Sequence, residues 1–199
     1  MPDPMNTLYT IGHSTHSTEQ LLHLLLTHRI SAVADVRSSP FSRYNPQFNR
    51  ENLQKALKDG GIKYVFLGKE LGARSEDPAC HEDGKVRFDR LAQTEAFRSG
   101  LARLRRGMES YRVVLLCAEK DPILCHRMIL VCRNLRQDAS NIQHILEDGS
   151  LEANAHAEGR LMKLLGIQEN NLFATPEELT ERAYDLQAMR IAYEEKKEE

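Results

Sequence analysis

The sequence predicts an α/β protein. The expected architecture is an open, mostly parallel five-stranded sheet with helices on both faces, Rossmann-like in three layers, plus a C-terminal helical appendage. Three observations predict it. Short β-branched runs alternate with stretches of helical period along most of the chain, the pattern of parallel β-α-β units. Helix start and stop signals fall between those runs. The 199 residues are too few for the eight units of a closed barrel.

The elements follow in order. Leu8 to Ile11 is the first strand. Ser17 then caps a helix, with Gln20 as capping-box partner and Leu21, Leu22, Leu24 and Leu25 as its apolar face. Ile30 to Val36 reads as the second strand. A loop rich in Ser, Pro and Arg leads to a helix from about Asn49 that stops at Gly60-Gly61, and Ile62 to Phe66 is the third strand. The stretch from Leu67 to Arg87 reads as a long irregular loop of the kind that serves as a lid or binding loop. Cys80 lies in it and looks dispensable.

A helix over Leu91 to Met108 precedes Val113 to Leu116, the most apolar strand of the chain. Asp121-Pro122 has the form of an N-cap and first helical position, opening a helix to about Arg136. Ile142 to Leu146 is the fifth strand, and the helix after it ends near Gly166. Thr175-Pro176-Glu177-Glu178 opens the last helix with a second capping box. These readings divide the chain into an α/β domain over 1–166 and a helical tail over 167–199, ending in the charged run Glu194 to Glu199.

Composition narrows the function classes. Hydrophobic residues make up 41% and charged residues 28%, as in a globular protein. The 27 basic and 29 acidic side chains give a net charge of −2, which does not favour a polybasic binder of duplex DNA or membrane surface. No run has the length of a membrane span, and the opening MPDPMNTLYTIGHS lacks the basic start and apolar core of a signal peptide. Cys80, Cys117, Cys125 and Cys132 form no paired pattern and are expected to be thiols in a cytoplasmic protein.

The chemistry gathers at the carboxyl ends of the strands. The first ends in Gly12-His13-Ser14-Thr15 and the second in Asp35-Val36-Arg37-Ser38, with Arg43 close behind. The third leads into Gly68-Lys69-Glu70 and then Gly72 and Arg74, and the fourth ends in Cys117-Ala118-Glu119-Lys120. Open α/β sheets bind ligands at that edge. Arginine forks suit carboxylate or phosphate, and a helix N-terminus at Asp121-Pro122 favours an anion as well. The anion-binding candidates are Gly12, Arg37, Arg43, Arg74, His126 and Arg127.

Cys117 stands at a strand end facing that helix N-terminus, which lowers a thiol pKa. It is expected to be the most reactive of the buried cysteines, as nucleophile or ligand. Cys125 and Cys132 flank the apolar stripe Leu124, Met128, Val131 and Leu135, and read as core. Glu119 or Asp35 would serve as general acid or base and His13 as a second proton carrier.

Four ordered segments, YTIGHST at 9–15, ADVRSSPFSRYNPQF at 34–48, YVFLGKELGAR at 64–74 and CAEKDPILCHR at 117–127, resemble the domain-of-unknown-function 488 family. QHILEDG at 143–149 extends the resemblance, which runs roughly from Leu8 to Gly166. It implies a bacterial-type intracellular α/β protein and no established reaction.

The leading functional expectation is an enzyme acting on a small anionic substrate, a nucleotide or nucleobase derivative, at the carboxyl edge. Its cofactor and its oligomeric state are not set by the sequence. One alternative is a non-catalytic nucleic-acid-binding module. It would use Arg98, Arg103, Arg105, Arg106 and Arg112, or Phe41, Tyr44 and Phe48 interleaved with Arg37, Arg43 and Arg50, and its binding would be weak and salt-dependent. The other alternative is a metal-binding protein drawing on Cys117, Cys125, His126, His13, His144 and His156. The spacings C-x7-C-H and H-x11-H match no standard zinc or iron–sulfur run, so no metal ligand is assigned.

Overall fold

In a computed structural model describing residues 7–136, 141–168 and 173–194, the chain opens with β1 (Thr7–Gly12), α1 (Thr18–Thr27), β2 (Ala32–Asp35), α2 (Arg50–Asp59) and β3 (Lys63–Phe66). A short α3 (Gly68–Leu71) is followed by β4 (His81–Glu82), β5 (Lys85–Val86) and α4 (Phe88–Leu91). Next come α5 (Glu95–Met108), β6 (Val113–Cys117), a π-helix (Arg127–Cys132), β7 (Asn141–Ile145) and β8 (Leu151–Ala153). Two helices, α6 (Asn154–Leu164) and α7 (Pro176–Ile191), close the described chain. The opening Met1 to Asn6 and the acidic run beyond Glu194 lie outside the described residues.

The main sheet has the order β3-β2-β6-β1-β7-β8. Every pairing in it is parallel except β7 with β8, which is antiparallel. The sheet therefore has six strands rather than the expected five. The extra strand returns through a turn at Asp148-Gly149, where Gly149 takes φ 84°. Asp-Gly is a strong hairpin signal, but β8 is three residues long and runs directly into α6, so its strand character is masked by helical pattern.

The segment expected to be irregular, Leu67 to Arg87, holds α3 and the β4–β5 hairpin. Asp83 and Gly84 both have positive φ there, 51° and 77°, as a tight Asp-Gly turn requires. Cys80 is 2% exposed and packs in the larger core cluster, so it is core rather than dispensable. The helix expected over Leu91 to Met108 is interrupted, because the Thr94 hydroxyl accepts from the Phe97 N–H and caps a new helix, α5.

Strand alternation sorts the core into two layers. Tyr9, Ile11, Val33, Val114 and Leu116 pack with Leu21 and Leu25 of α1 and Leu53 and Leu57 of α2. Leu8, Ala34 and Leu115 pack with Leu101 and Leu104 of α5, Met128 of the π-helix and Leu161 of α6. β6 is buried at every position because both of its faces are covered. α7 adds Ala183, Tyr184 and Ala188 to the second layer, and Gln187 Nε2 donates to the Ile123 carbonyl at 2.8 Å. Among the described residues no helix is long and apolar enough to cross a membrane.

One buried polar chain crosses the second layer. His144 Nδ1 lies 2.8 Å from Thr10 Oγ1, and its Nε2 lies 3.1 Å from Asn154 Oδ1. Burial first, then the positive charge of Arg127, lowers the His144 pKa from 6.5 to about 4. His13 is lowered to about 4 as well, by burial and then by Arg37. Both imidazoles are neutral in the folded protein, whereas the unfolded chain protonates near pH 6.5. Their contribution is complete above pH 6.5 and is lost as pH falls toward 4, for His144 by about 3 kcal/mol. Urea unfolding from pH 7.5 to 4.5 is expected to show that loss. His144→Gln should show a shallower one, since of this pair only His13 remains. Equal pH slopes for the two proteins would contradict the assignment.

Candidate functional site

The carboxyl ends of β1, β2 and β6 meet because the strands are parallel neighbours: Gly12 pairs with Cys117, and Asp35 with Leu116. The β1–β6 ladder continues past the strands, with His13 N–H donating to the Cys117 carbonyl at 2.9 Å and Ser14 N–H to the Ala118 carbonyl at 3.0 Å. The chain after β6 then folds over Gly12. A Cβ placed on Gly12 would lie 1.8 Å from the Glu119 carbonyl oxygen. The glycine that looked suited to close approach by a ligand is used for close approach of Glu119.

Asp121 caps only a single 3-10 turn, Pro122–Leu124, accepting from the Ile123 N–H at 3.2 Å. Cys125 is extended (φ −133°, ψ 140°), and the helix starts behind it. The Cys125 carbonyl accepts from Met128 and Ile129 N–H, and its Sγ accepts from the Arg127 N–H at 3.4 Å. The helix is a π-helix, a form found at functional sites. The cysteine beside the helix N-terminus is therefore Cys125, not Cys117. The expectation failed because Asp121-Pro122 carries a cap signal for a turn that does not continue.

Four polar side chains converge here. Glu119 Oε2 accepts from Cys117 Sγ at 2.9 Å and from Cys125 Sγ at 3.0 Å. His126 Nδ1 is 3.5 Å from Cys117 Sγ and 4.0 Å from Cys125 Sγ. His126 Nε2 lies 3.0 Å from the Val36 carbonyl, which can only accept, so Nε2 carries the proton. One ligand atom from each of Cys117, Glu119, Cys125 and His126 lies within 4.8 Å of the others. Burial, reinforced by Cys125 and by Glu119, pushes the Cys117 thiol well up. Burial opposes ionisation of Cys125 too, but the Cys117 hydrogen bond, Arg127 and His126 bring it well down. Burial and then Cys125 raise the Glu119 carboxyl. Of the two thiols, Cys125 is the one whose ionisation its neighbours favour and Cys117 the one whose ionisation they oppose.

The anion-binding candidates divide by position. Arg127 is wholly buried. Its guanidinium donates to the Glu119 carbonyl at 2.5 Å, the Lys120 carbonyl at 2.9 Å and Thr10 Oγ1 at 3.3 Å, so its donors face away from any ligand. Arg37 is buried in a bidentate pair with Asp35, at 2.9 and 2.6 Å, and its NH1 donates to His13 Nε2 at 3.2 Å. Asp35 accepts in addition from Arg37 N–H at 3.1 Å and from the Tyr64 hydroxyl at 2.9 Å. Three of the four hydrogen bonds it accepts hold Arg37. His13 Nδ1 donates to the Ser14 carbonyl, and its ring lies 4.4 Å from that of Phe48.

A cleft of about 240 Å³ opens at this edge. Arg37, Arg74, Cys117, Glu119 and His126 line it, together with Ser38 and Ser39. Leu124, Ile191 and Tyr193 form an apolar wall, with the Arg74 guanidinium 4.4 Å above the Tyr193 ring. Gly12, His13, Asp35 and Arg127 stand behind the cleft rather than in it, and Arg43 is exposed on the loop after β2. Tyr193 and the two serines were not among the assigned candidates, and Cys125 was named only in the metal-binding alternative. Cys125 was legible in CAEKDPILCHR by its nearness to Cys117 and Glu119. Of the stacking set, Phe48 is buried, while Phe41 and Tyr44 are exposed. Arg50 lies over Phe66 and Arg112 over Tyr9.

A family model described as "Domain of unknown function DUF488" matches residues 17–133, more than half of the chain and including the cluster at Cys117 to His126. No curated protein and no solved structure matches the chain.

The crossing at Gly12 yields a direct test. Gly12→Ala must displace a carbonyl that Arg127 holds, and is expected to lower stability by roughly 1–3 kcal/mol or more. Gly159→Ala in α6, where a Cβ meets nothing within 4 Å, should be neutral or stabilising. Urea midpoints of the two variants decide it. Equal midpoints would mean that the Glu119 carbonyl is not packed on Gly12.

Proposed function

The chain belongs to the DUF488 family, and from that premise we propose that it is an enzyme acting on a small anionic substrate, a nucleotide or nucleobase derivative, at the carboxyl edge of its sheet. The observation that carries the reading is the cleft itself. Side chains from three distant segments, Arg37, Arg74 and the group Cys117, Glu119 and His126, face one another across it. Holding thiol, carboxylate and imidazole in a partly dry pocket costs free energy that a purely structural edge would not spend.

Each side chain has a part in this reading. Arg74, exposed and lying on Tyr193, meets the anion first. Arg37 is fixed by Asp35 and carries positive charge to the cleft wall. Glu119, its carboxyl raised by burial, exchanges a proton with the substrate. Cys117 takes part as nucleophile or ligand. The Leu124, Ile191 and Tyr193 wall suits a flat, apolar ring, and the cleft volume favours one base or sugar over a polymer.

Nucleic-acid binding is a weaker reading, because Phe48 and Arg37 of its stacking set are buried, which leaves Phe41, Tyr44, Arg43 and Arg50 exposed beside the solvent-facing Arg98, Arg103, Arg105 and Arg106. Fluorescence anisotropy with a single-stranded oligonucleotide is expected to show weak binding that vanishes at moderate salt.

The enzyme reading is tested by thermal shift and calorimetry with orthophosphate and a panel of nucleoside monophosphates. At least one should raise the melting temperature of the wild type. Arg74→Ala should weaken that ligand roughly tenfold, the worth of a charge-assisted hydrogen bond. If no member of the panel binds, or if Arg74→Ala binds equally well, the cleft is not an anion site.

A further inference from the structure

We propose that Cys117, Cys125 and His126 bind one zinc ion, with Glu119 in the fourth position, at the inner end of the cleft. The site would give the proposed enzyme its reactive centre, and in that use it rests on the reading above. The binding itself stands on the geometry of four side chains.

The donors have the right kind and spacing. Two sulfurs and an imidazole select a borderline-soft ion such as zinc over magnesium or calcium. A tetrahedral ion about 2.3 Å from sulfur and about 2.0 Å from nitrogen sets sulfur and nitrogen roughly 3.5 Å apart. Here those separations are 3.5 and 4.0 Å, and all four donor atoms fall within 4.8 Å of one another. Glu119 Oε2 sits between both sulfurs, at 2.9 and 3.0 Å.

The surroundings are those of a ligand set. His126 gives its Nε2 proton to the Val36 carbonyl, which aims the Nδ1 lone pair at the cysteines. An outer hydrogen bond of that kind orients most metal-bound histidines. Cys132 shows the contrast on the same helix. It is fully buried in the apolar cluster, and its thiol makes none of the described hydrogen bonds. Arg127 supplies the charge balance. Its guanidinium is buried, its donors reach only carbonyls and a hydroxyl, and it forms none of the described ion pairs. Two thiolates, a carboxylate, a divalent ion and this arginine together are neutral.

The site is open on one side. Cys117, Cys125 and His126 are buried, while Glu119 is exposed and lines the cleft. Structural zinc sites close all four positions, and catalytic ones keep one that exchanges with water or substrate. Glu119 occupies that exchangeable position. The spacing escapes the usual patterns because the ligands come from a strand end and a helix start rather than from a knuckle or a single helix face.

The test uses the full chain, purified under reducing conditions without chelator. Elemental analysis should give one zinc per chain. Replacement by cobalt(II) should produce the intense sulfur-to-cobalt charge-transfer absorption of thiolate ligation. Cys125→Ser and His126→Ala should lower zinc affinity more than roughly hundredfold, beyond the loss from an outer-sphere partner. Cys132→Ala should keep full stoichiometry. Should the ligand variants fold poorly, the wild type still decides: zinc must raise its melting temperature and chelator must lower it. Wild-type protein without stoichiometric zinc, cobalt absorption or zinc-dependent stabilisation overturns the proposal, as does a Cys117–Cys125 disulfide that persists in reductant. The anion reading is decided separately, by the Arg74 dependence of ligand binding in metal-loaded and metal-free protein.

Discussion

A guanidinium with no exposure to solvent ties the carboxyl edge of the sheet together. Arg127 reaches from the π-helix to the carbonyls of Glu119 and Lys120 and to the hydroxyl of Thr10. Burying its charge costs several kcal/mol unless every donor finds good acceptors, and here the acceptors are mostly backbone. The Glu119-Lys120 loop is thereby pinned across Gly12, which leaves space only for its own hydrogen. If that carbonyl moved, Glu119 would leave the two cysteines whose thiols it now accepts from. The cleft exists because this loop has one place to lie.

The same arginine joins the site to the body of the protein. Thr10 passes the contact to His144, and His144 to Asn154, which donates to Glu158 at 2.8 Å. Glu158 in turn accepts from the Tyr184 hydroxyl at 2.9 Å and pairs with Arg136. A polar line thus runs from the carboxyl edge through the sheet to α7. It is fully hydrogen-bonded, the condition under which buried polar groups specify one arrangement rather than weaken the core. α7 belongs to this construction, since Tyr184 packs in the core and the chain after it brings Ile191 and Tyr193 to the cleft wall.

Across the cleft, Asp35 and Arg37 do for one arginine what the backbone does for the other. Asp35 accepts four hydrogen bonds, three from Arg37 and one from Tyr64. A residue type chosen for proton transfer is here a clamp. His13, held neutral between the Ser14 carbonyl and Arg37, completes the same support. These roles were not visible in residue identity, because an aspartate two positions from an arginine reads equally as acid, base or partner.

What the sequence determined by itself was periodic and local. Alternating β-branched and helical runs, the Ser17 and Thr175 capping boxes and the apolar Val113 to Leu116 run are short-range signals, and the elements they mark are present. They also placed Arg37, Cys117 and Glu119 at strand ends, with Arg74 and His126 in the segments that follow, and the parallel sheet brings all five to one cleft. Tertiary structure decided everything that needed a direction. Whether the helix began at Pro122 or after Cys125 depended on contacts with Arg127 and Glu119, not on the cap signal. The strand of Leu151–Ala153 needed β7 as a partner, and Gly12 showed its purpose only against the Glu119 carbonyl. The division has one physical reason. Propensity and patterning act over a few residues, whereas the orientation of a buried polar side chain is set by partners that only the folded chain brings within hydrogen-bonding distance.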